Sequence, residues 1–167
     1  MRLHVLTTGG TIDKQYTVAG LLETGPSVVA EILRRAQVAF EVTIDCVLTK
    51  DSLDMVAEDR DTLRRRVEAS PCRHILITHG TDTMPVTAEH LLGVEGKVVV
   101  LTGAMQPARM VATDAHFNVG LAVGVLQCAP DGVYIAMNGR VFPAGHVRKD
   151  RERGRFVQAP GADGEQS

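Results

Sequence analysis

The stretch HILITHGTDTM, residues 74–84, joins a buried strand to a polar loop and sets the fold of the chain. Its first half is a run of aliphatic and β-branched residues, which is typical of a strand covered on both faces in a parallel sheet. Its second half crowds Thr81, Asp82 and Thr83 into the strand exit, which is more than a simple turn requires. The stretch TTGGTID, residues 7–13, repeats this arrangement near the N-terminus. Both loops are therefore candidates for a binding or catalytic role.

Short apolar runs alternate with helical patterns along the rest of the chain. The predicted strands span residues 3–8, 41–48, 74–79, 97–103 and 132–138. The predicted helices span residues 27–36, 57–69, 85–92 and 112–128. This alternation predicts an α/β fold with a single doubly wound, mostly parallel sheet and helices on both faces.

The limits of the domain follow from composition. We find no internal repeat and no break in composition, so we expect one domain over residues 1–157. The polar residues 158–167 are expected to form a disordered tail. The helix over residues 112–128 is apolar nearly all round, so it should be buried or pack against another subunit.

The composition also argues against several classes of protein. The 167 residues carry 18 Lys and Arg against 20 Asp and Glu, and this near balance gives no field that would attract nucleic acid. The longest apolar runs have the length of a strand rather than of a membrane span, and residues 1–8 are too short for a signal peptide. Cys46, Cys72 and Cys128 are widely spaced and odd in number, which favours reduced thiols in a cytoplasmic protein. The six histidines lack metal-binding spacing, so we expect no metal and no cofactor.

Polar loops follow the first four predicted strands. Ligands of open α/β sheets bind beyond the carboxyl ends of the parallel strands, so these loops should share one edge of the sheet. The loops are TGGTID (8–13), TKDSLDM (49–55), HGTDTM (79–84) and TGAMQPARM (102–110). Their residues alone predict a pocket for a small polar ligand with a hydroxyl nucleophile, which needs a neighbouring group to take its proton.

Each loop taken singly also has a simpler interpretation. TTGGT could bind phosphate at a helix start, but it matches neither nucleotide-binding glycine pattern. Asp82 or Thr83 could cap the following helix. His79, at the end of an apolar strand, is better explained as a hydrogen-bonded scaffold residue than as a base. The charged run RKDRERGR, residues 148–155, is expected to be a solvated segment.

Six motifs together resemble the bacterial-type L-asparaginases, a family that includes glutaminase-asparaginases. They are TGGTI (8–12), YTV (16–18), DSLDM (51–55), ITHGTDTM (77–84), VLTGAMQP (100–107) and FNVGLAV (117–123). Their order and spacing match the family from about residue 3 to residue 157, and the TGGTI and HGTDTM blocks are specific when they occur together. The resemblance covers the larger N-terminal domain of a typical member, so we expect the family's smaller C-terminal domain to be absent.

The resemblance implies an L-asparaginase that converts L-asparagine to L-aspartate and ammonia through a β-aspartyl acyl-enzyme. Thr11 would be the nucleophile, with Tyr16 as its hydrogen-bonding helper on a mobile loop. Thr81, Asp82 and Lys149 would match the family's Thr–Asp–Lys relay, Lys149 being assigned by counting along MNGRVFPAGHVRK. A lysine made neutral by burial could act as a base through Thr81.

Substrate recognition is implied in the same way. Ser52 would hold the substrate's α-carboxylate together with backbone N–H groups from Gly80 to Asp82. Asp82 would orient Lys149 or bind the substrate ammonium, and the Ala104 carbonyl would contact the amide. Leu53 stands where secreted members often carry a glutamine, which points to the cytoplasmic branch or to weaker binding.

Several alternatives stay open at this point. The residues do not decide whether Thr11 or Thr81 attacks first, nor whether asparagine is preferred over glutamine, so a glutaminase-asparaginase of broader specificity is possible. A truncated, non-catalytic protein that binds aspartate or asparagine is the other alternative. Because one wall of the pocket would be missing, we expect permissive or weak substrate binding. The family also implies a homo-oligomer, either a dimer or a tetramer.

Overall fold

The structure is a computed structural model that describes residues 1–160, and it is built around a six-stranded sheet. Its strands are β1 (Arg2–Gly9), β2 (Lys14–Tyr16), β3 (Leu22–Thr24), β4 (Glu41–Lys50), β5 (His74–Thr78), β6 (Val98–Thr102), β7 (Gly132–Met137), β8 (Arg140–Pro143), β9 (Val147–Asp150) and β10 (Arg155–Gln158). Its helices are α1 (Val29–Arg35), α2 (Ala57–Ala69), α3 (Met84–His90) and α4 (Ala115–Cys128). Short 3-10 turns, Thr11–Asp13 and Ser52–Asp54, follow β1 and β4.

The main sheet has the strand order β4-β1-β5-β6-β7-β8. The first five strands pair in parallel, and β8 returns antiparallel to β7. These five parallel strands are the five that the sequence predicts, so the expected mostly parallel α/β sheet is confirmed. Because the strands run in parallel, the loops after β1, β4, β5 and β6 emerge at the same edge.

Helices cover both faces of the sheet, as a doubly wound fold requires. The alternation along β5 shows the division, because Ile75 and Ile77 pack with α2 and α3 while Leu76 packs with α1 and α4. Each such fully buried aliphatic side chain contributes about 1.5–3 kcal/mol relative to an exposed one. The edge strand β4 is the least covered, and its Ile44 is 38% exposed.

Local sequence explains where α2 begins and which face it buries. The Asp59 carboxylate accepts a hydrogen bond from the Val56 backbone N–H at 3.0 Å, which satisfies one of the free donors at the helix start. Leu63 and Val67, four residues apart, are fully buried on one side of the helix. Acidic residues in the first turn and Arg66 in the last turn suit the helix dipole.

Helix α4 differs from the predicted helix in its start and in its burial. It begins at Ala115 rather than at residue 112, and Asp114 precedes it. One face is buried against the sheet, but the opposite face is exposed, with Phe117 at 64% exposure. The apolar character of this helix is therefore not explained by burial within residues 1–160.

The charged run over residues 148–155 is not a simple solvated segment, contrary to the expectation. Its ends form the antiparallel pair β9–β10, in which Lys149 and Asp150 are partly buried while Arg148, Arg155 and most of the turn are exposed. Val147 and Phe156, which bracket the run, are 4% and 1% exposed, and their burial docks the hairpin on the domain. A run of charges masks this arrangement because the apolar residues that cause it lie just outside the run.

The sequence also failed to predict β2, β3 and β8, which have three or four residues each and too few apolar positions for a periodic signal. Strand β10 runs to Gln158, one residue past the predicted domain limit at residue 157, and the Ala159 N–H donates to the His146 carbonyl at 3.0 Å. The rest of the expected disordered tail, residues 161–167, lies outside the described residues. Among residues 1–160, no helix combines the length and apolar character of a bilayer span.

Candidate active site

The loops after β1, β4 and β5 touch one another through two glycines. Gly10 has φ +86°, and a Cβ atom placed on it would collide with the Cα and N atoms of Gly80. A Cβ atom on Gly80 would lie 2.6 Å from the Ser52 hydroxyl oxygen. Only glycine permits these approaches. The residues next to these glycines, Thr11 and Thr81, are thereby brought to the same place as Ser52.

Lys149 enters this site from the β9–β10 hairpin. Its Nζ donates hydrogen bonds to the Thr81 hydroxyl oxygen at 2.7 Å and to Asp82 Oδ1 at 3.0 Å. The Lys149 side chain is only 13% exposed and Thr81 is 3% exposed, so the amine is largely shielded from water, while the Asp82 side chain is 28% exposed. Arg151 lies farther from Asp82 Oδ1, at 3.7 Å, and its side chain is 72% exposed. The amine, the hydroxyl and the carboxylate thus form one compact, shielded cluster.

Nothing in the composition of the Lys149 segment reveals this position. Two features of the sequence are nevertheless typical of a hairpin here. Val147 and Phe156 flank the charged run at a spacing that suits two paired strands, and a glycine, Gly154, stands in the turn, where its φ is +58°. The motif register assigned Lys149 to a relay with Thr81 and Asp82, whereas the charge pattern alone predicted a solvated segment; the structure places its Nζ beside those two side chains.

Ser52 has a buried hydroxyl without a hydrogen-bond partner. The residue is 1% exposed, and its Oγ has no partner among residues 1–160. Its backbone carbonyl accepts a hydrogen bond from the Thr83 hydroxyl at 2.7 Å, which fixes the loop. An unsatisfied buried hydroxyl costs about 1–3 kcal/mol, so a ligand that supplies a partner gains binding energy here.

Thr11 and Tyr16 lie on the more open side of the site. Thr11 is partly exposed, and Tyr16, on the β2–β3 hairpin, is 67% exposed. Neither side chain makes a hydrogen bond within residues 1–160, so the structure does not join Tyr16 to the hydroxyl that it is expected to assist. A cleft of about 210 Å³ lies under the hairpin between Tyr16, Leu22 and the Pro107 loop.

The base of the β2–β3 hairpin is nevertheless anchored. Lys14 forms a 2.7 Å ion pair with Asp51, next to Ser52. Burial works against the charged form of Asp51, but hydrogen bonds from Lys14 and from the Leu53 N–H lower its pKa. On the other side, Asp13 Oδ1 accepts the Val28 N–H at 3.0 Å, and burial raises the Asp13 pKa.

Ala104 is fully buried in the loop after β6. The Asp114 carboxylate accepts the backbone N–H of Met105 at 3.0 Å, and Asn118 Nδ2 donates to the Gly103 carbonyl at 3.1 Å. The His79 N–H donates to the Thr102 carbonyl at 2.9 Å, which ties this loop to the one after β5. All four polar loops at this edge are therefore connected.

His79 supports the site from below. It is completely buried, and its Nδ1–H donates to the Gly80 carbonyl at 2.7 Å. Burial lowers the pKa of His79 to about 4, so the ring is neutral at pH 7. A neutral ring that holds the Gly80 backbone fits the expected scaffold role.

The arrangement brings together a shielded amine, two threonine hydroxyls, a carboxylate and a free serine hydroxyl. Such a set can bind a small zwitterion and activate an alcohol for attack on a carbonyl carbon. Within residues 1–160, no group of three or more His, Cys, Asp or Glu side chains is placed to hold a metal.

Comparison with known proteins gives a consistent picture. The family model described as Asparaginase, N-terminal, matches residues 2–156. The L-asparaginase of Bacillus licheniformis is 31% identical over 160 residues, which cover 89% of this chain and 49% of that protein. A glutaminase-asparaginase of Acinetobacter glutaminasificans is 30% identical over 116 residues, which cover 66% of this chain and 34% of that protein.

A solved structure, that of a probable cytoplasmic L-asparaginase from Campylobacter jejuni, superposes with a TM-score of 0.80 at 28% identity. The superposition covers 94% of this chain and 51% of that one. This chain therefore spans about half the length, or less, of these relatives.

Proposed function

This chain belongs to the asparaginase family through that family's N-terminal domain, and we propose that it hydrolyses L-asparagine to L-aspartate and ammonia. The observation that carries the proposal is the shielded contact of Lys149 with Thr81 and Asp82. A lysine among four arginines has no structural need to leave solvent, and holding it 13% exposed against a hydroxyl is costly unless the contact has a use.

In the first half of the reaction, the Thr11 hydroxyl attacks the side-chain amide carbon of asparagine. The new C–O bond forms a tetrahedral intermediate, and its collapse breaks the C–N bond and releases ammonia. The proton that leaves Thr11 ends on the departing nitrogen. Thr11 suits this role because the glycines before it leave its hydroxyl open to a ligand and because it makes no competing side-chain hydrogen bond within residues 1–160.

In the second half, water attacks the β-aspartyl ester and regenerates the Thr11 hydroxyl. Lys149 and Thr81 form the route for the proton in this step, since Nζ lies 2.7 Å from the Thr81 oxygen. Only a neutral amine can accept a proton, so Lys149 must lose its own proton before it acts as a base. Asp82, whose Oδ1 accepts a hydrogen bond from Nζ at 3.0 Å, orients the amine.

The α-carboxylate and ammonium groups of the substrate are bound by residues on the same side of the site as Thr81 and Asp82. The free Ser52 hydroxyl and the backbone N–H groups of Gly80 to Asp82 are suitable donors for the α-carboxylate. Asp82, whose side chain is 28% exposed, can also pair with the substrate ammonium. The Ala104 carbonyl is the expected acceptor for the amide N–H₂.

We also propose a homo-oligomer, a dimer or a tetramer, in the cytoplasm. The exposed apolar face of α4, with Phe117 64% exposed, is a surface that association could cover. The three unpaired cysteines suit a reducing compartment, and the similar Campylobacter jejuni protein is described as cytoplasmic. Light scattering that gives a monomer, or fractionation to the periplasm, would contradict these two points.

The central test measures ammonia released from L-asparagine by the wild type, by Thr11→Ala and by the control Thr43→Ala. Thr43 is an exposed threonine on the edge strand β4, so its variant should retain the wild-type rate. We expect Thr11→Ala to lose at least about a thousandfold in kcat. Full activity in Thr11→Ala would refute Thr11 as the nucleophile.

The same assay separates the alternatives. Ammonia release from glutamine at a rate that matches asparagine would assign the broader glutaminase-asparaginase activity. If the wild type and Thr11→Ala are both inactive while aspartate raises the melting temperature of each, the protein is a binding module and the hydrolase proposal fails.

A further inference from the structure

Asn138 occupies the tight turn between β7 and β8 and has a second role there. It is one of two non-glycine residues with positive φ among residues 1–160, at +54°, and Gly139 follows at +76°. Asn-Gly is the preferred pair for such a two-residue hairpin turn, which explains the backbone conformation. The side chain is not needed for the turn, yet its Oδ1 accepts a hydrogen bond from the Phe156 N–H at 2.9 Å.

The position of Phe156 gives this hydrogen bond its importance. Phe156 lies on β10 directly opposite Lys149 on β9. The β9–β10 hairpin is a separate two-stranded sheet that does not pair with the main one, so a few contacts must fix its position. The Asn138–Phe156 bond joins the end of the main sheet to the strand pair that carries Lys149.

Asn118 holds Asn138 in turn. This residue of α4 is fully buried, and its Oδ1 accepts the Asn138 N–H at 3.2 Å. Its Nδ2 donates to the Gly103 carbonyl at 3.1 Å and to Asp114 Oδ2 at 2.8 Å. Both the oxygen and the nitrogen of the Asn118 side-chain amide therefore make hydrogen bonds, and their partners identify which end is the oxygen.

These bonds connect two parts of the site that are far apart in sequence. Asp114 accepts the N–H of Met105 just after Ala104, and Asn118 holds Gly103 just before it. Through Asn138 and Phe156 the same network reaches the strand of Lys149. A shift of the hairpin therefore moves the amine relative to both Thr81 and the Ala104 loop.

We propose that Asn138, supported by Asn118, is a positioning residue that keeps the Lys149 amine in contact with Thr81 and Asp82. The meaning of this placement for catalysis rests on the proposed asparaginase function. Lysine has a flexible four-carbon stem, so the position of its strand decides whether Nζ stays within hydrogen-bonding distance of a fixed hydroxyl. Misplacement of a reacting group by about 1 Å can cost up to about a hundredfold in rate.

The turn permits a clean pair of variants. Asn138→Gly keeps the left-handed turn, because glycine tolerates φ +54°, and removes only the acceptor for the Phe156 N–H. Asn138→Asp keeps both an acceptor oxygen and a tolerance for positive φ. Gln37→Gly is the matched control, since Gln37 is exposed and is the other non-glycine residue with positive φ, at +50°.

Two measurements are made on these variants in the full chain. The first is steady-state ammonia release from asparagine, where we expect Asn138→Gly to lose about tenfold in kcat with KM changed less than about twofold. Asn138→Asp should recover most of the loss, and Gln37→Gly should match the wild type. The second is the rate of acetylation of Lys149 by acetic anhydride, followed by mass spectrometry, which should rise about threefold in Asn138→Gly alone because the amine is more often released to solvent.

The second measurement does not depend on catalysis. If the wild type hydrolyses no asparagine but Lys149 acetylation rises only in Asn138→Gly, the positioning inference stands and the proposed function falls. If Lys149 acetylation is unchanged in Asn138→Gly, or rises equally in Gln37→Gly, the positioning inference is overturned. A loss of kcat in Asn138→Gly that Asn138→Asp does not recover also overturns it.

Discussion

The two sides of the candidate site are built in opposite ways. On one side, the Lys149 amine donates hydrogen bonds to Thr81 and Asp82; Thr81 is buried, and the side chains of Lys149 and Asp82 are 13% and 28% exposed. On the other side, Thr11 is partly exposed and Tyr16 is 67% exposed on a hairpin of two three-residue strands. We refer to these as the buried side and the hairpin side.

The difference separates two requirements of the proposed reaction. Charges and dipoles that act on a reacting carbonyl are most effective when they are fixed and shielded before the substrate arrives. Substrate must also enter, so some part of the site has to open, and that part is drawn from segments with few buried contacts. The hairpin side has this character, with a cleft of about 210 Å³ next to Tyr16 and Leu22 and an ion pair between Lys14 and Asp51 at its base.

The largest effect on activity is expected when Lys149, on the buried side, is replaced. We expect Lys149→Met to lower kcat/KM by about a thousandfold, because it removes the amine from the proton route while the methionine stem still fills the space. The control is Arg148→Met on the same strand, where the side chain is exposed and should be replaceable within about twofold. Steady-state kinetics with asparagine decide the matter, and near-normal activity in Lys149→Met would remove the buried side from the mechanism.

A second test uses pH, because the titratable ring of His79 is completely buried next to Gly80 on the buried side. Its pKa is about 6.5 in the unfolded chain and about 4 in the folded one, because burial disfavours the charged ring. The contribution of His79 to the free energy of unfolding is therefore fully present above pH 6.5. It is lost as the pH drops towards 4, because the unfolded chain binds a proton there that the folded chain does not. The loss from this one group is roughly 3 kcal/mol.

The measurement is urea unfolding at several pH values between 7.5 and 4 in the wild type and in His79→Asn, whose amide can still donate to the Gly80 carbonyl. The variant should lose stability less steeply below pH 6.5. Burial and the neighbouring Arg73 also lower the pKa of His74, so part of the slope should persist. An identical slope in His79→Asn would show that the buried ring titrates normally.

Ser52 offers a sharper distinction between binding and stability. We expect Ser52→Ala to raise KM for asparagine about tenfold, because a charge-assisted hydrogen bond to the substrate carboxylate is lost. The same change should leave the melting temperature equal or higher, since the hydroxyl has no partner within residues 1–160 and its burial only costs energy. A lower melting temperature with unchanged KM would assign Ser52 to the fold rather than to the ligand.

The smallest effect is expected on the hairpin side. Tyr16→Phe removes a hydroxyl that makes no hydrogen bond within residues 1–160, so stability should not change. If the phenol reaches Thr11 only when substrate is bound, kcat should fall about fivefold. Val18→Ala, on the same hairpin and fully exposed, is the control and should behave as the wild type. Equal behaviour of both variants would leave Tyr16 without a role.

Much of this comparison could be predicted from the sequence. Apolar and β-branched runs predicted all five parallel strands, most directly the central β1, β5 and β6, because a strand buried on both faces must be apolar throughout. The polar residues at their exits then had to share one edge, which is where Thr11, Ser52, Thr81 and Ala104 lie. The position of Lys149 followed only from the resemblance, because its local pattern of charges predicted a solvated segment.

The short elements could not be predicted in the same way. The β2–β3 and β9–β10 hairpins have strands of three or four residues, and their stability comes from docking rather than from local periodicity. Helix α4 shows the converse case, since its strongly apolar sequence predicted burial or packing against another subunit, and one of its faces is exposed within residues 1–160.

The sequence by itself determined the layered parallel sheet and the edge at which the polar loops gather. Apolar runs and their alternation with helical patterns can be recognised in short segments, and this alternation predicts strands that run in parallel. Only the tertiary structure decided which polar groups touch there. Lys149 and Thr81 are 68 residues apart, and Asn138 and Phe156 are 18 apart, so their contacts depend on how a hairpin docks beside the sheet. The unpartnered Ser52 hydroxyl is likewise a property of the packed site, since no local pattern states which donors a fold will leave free.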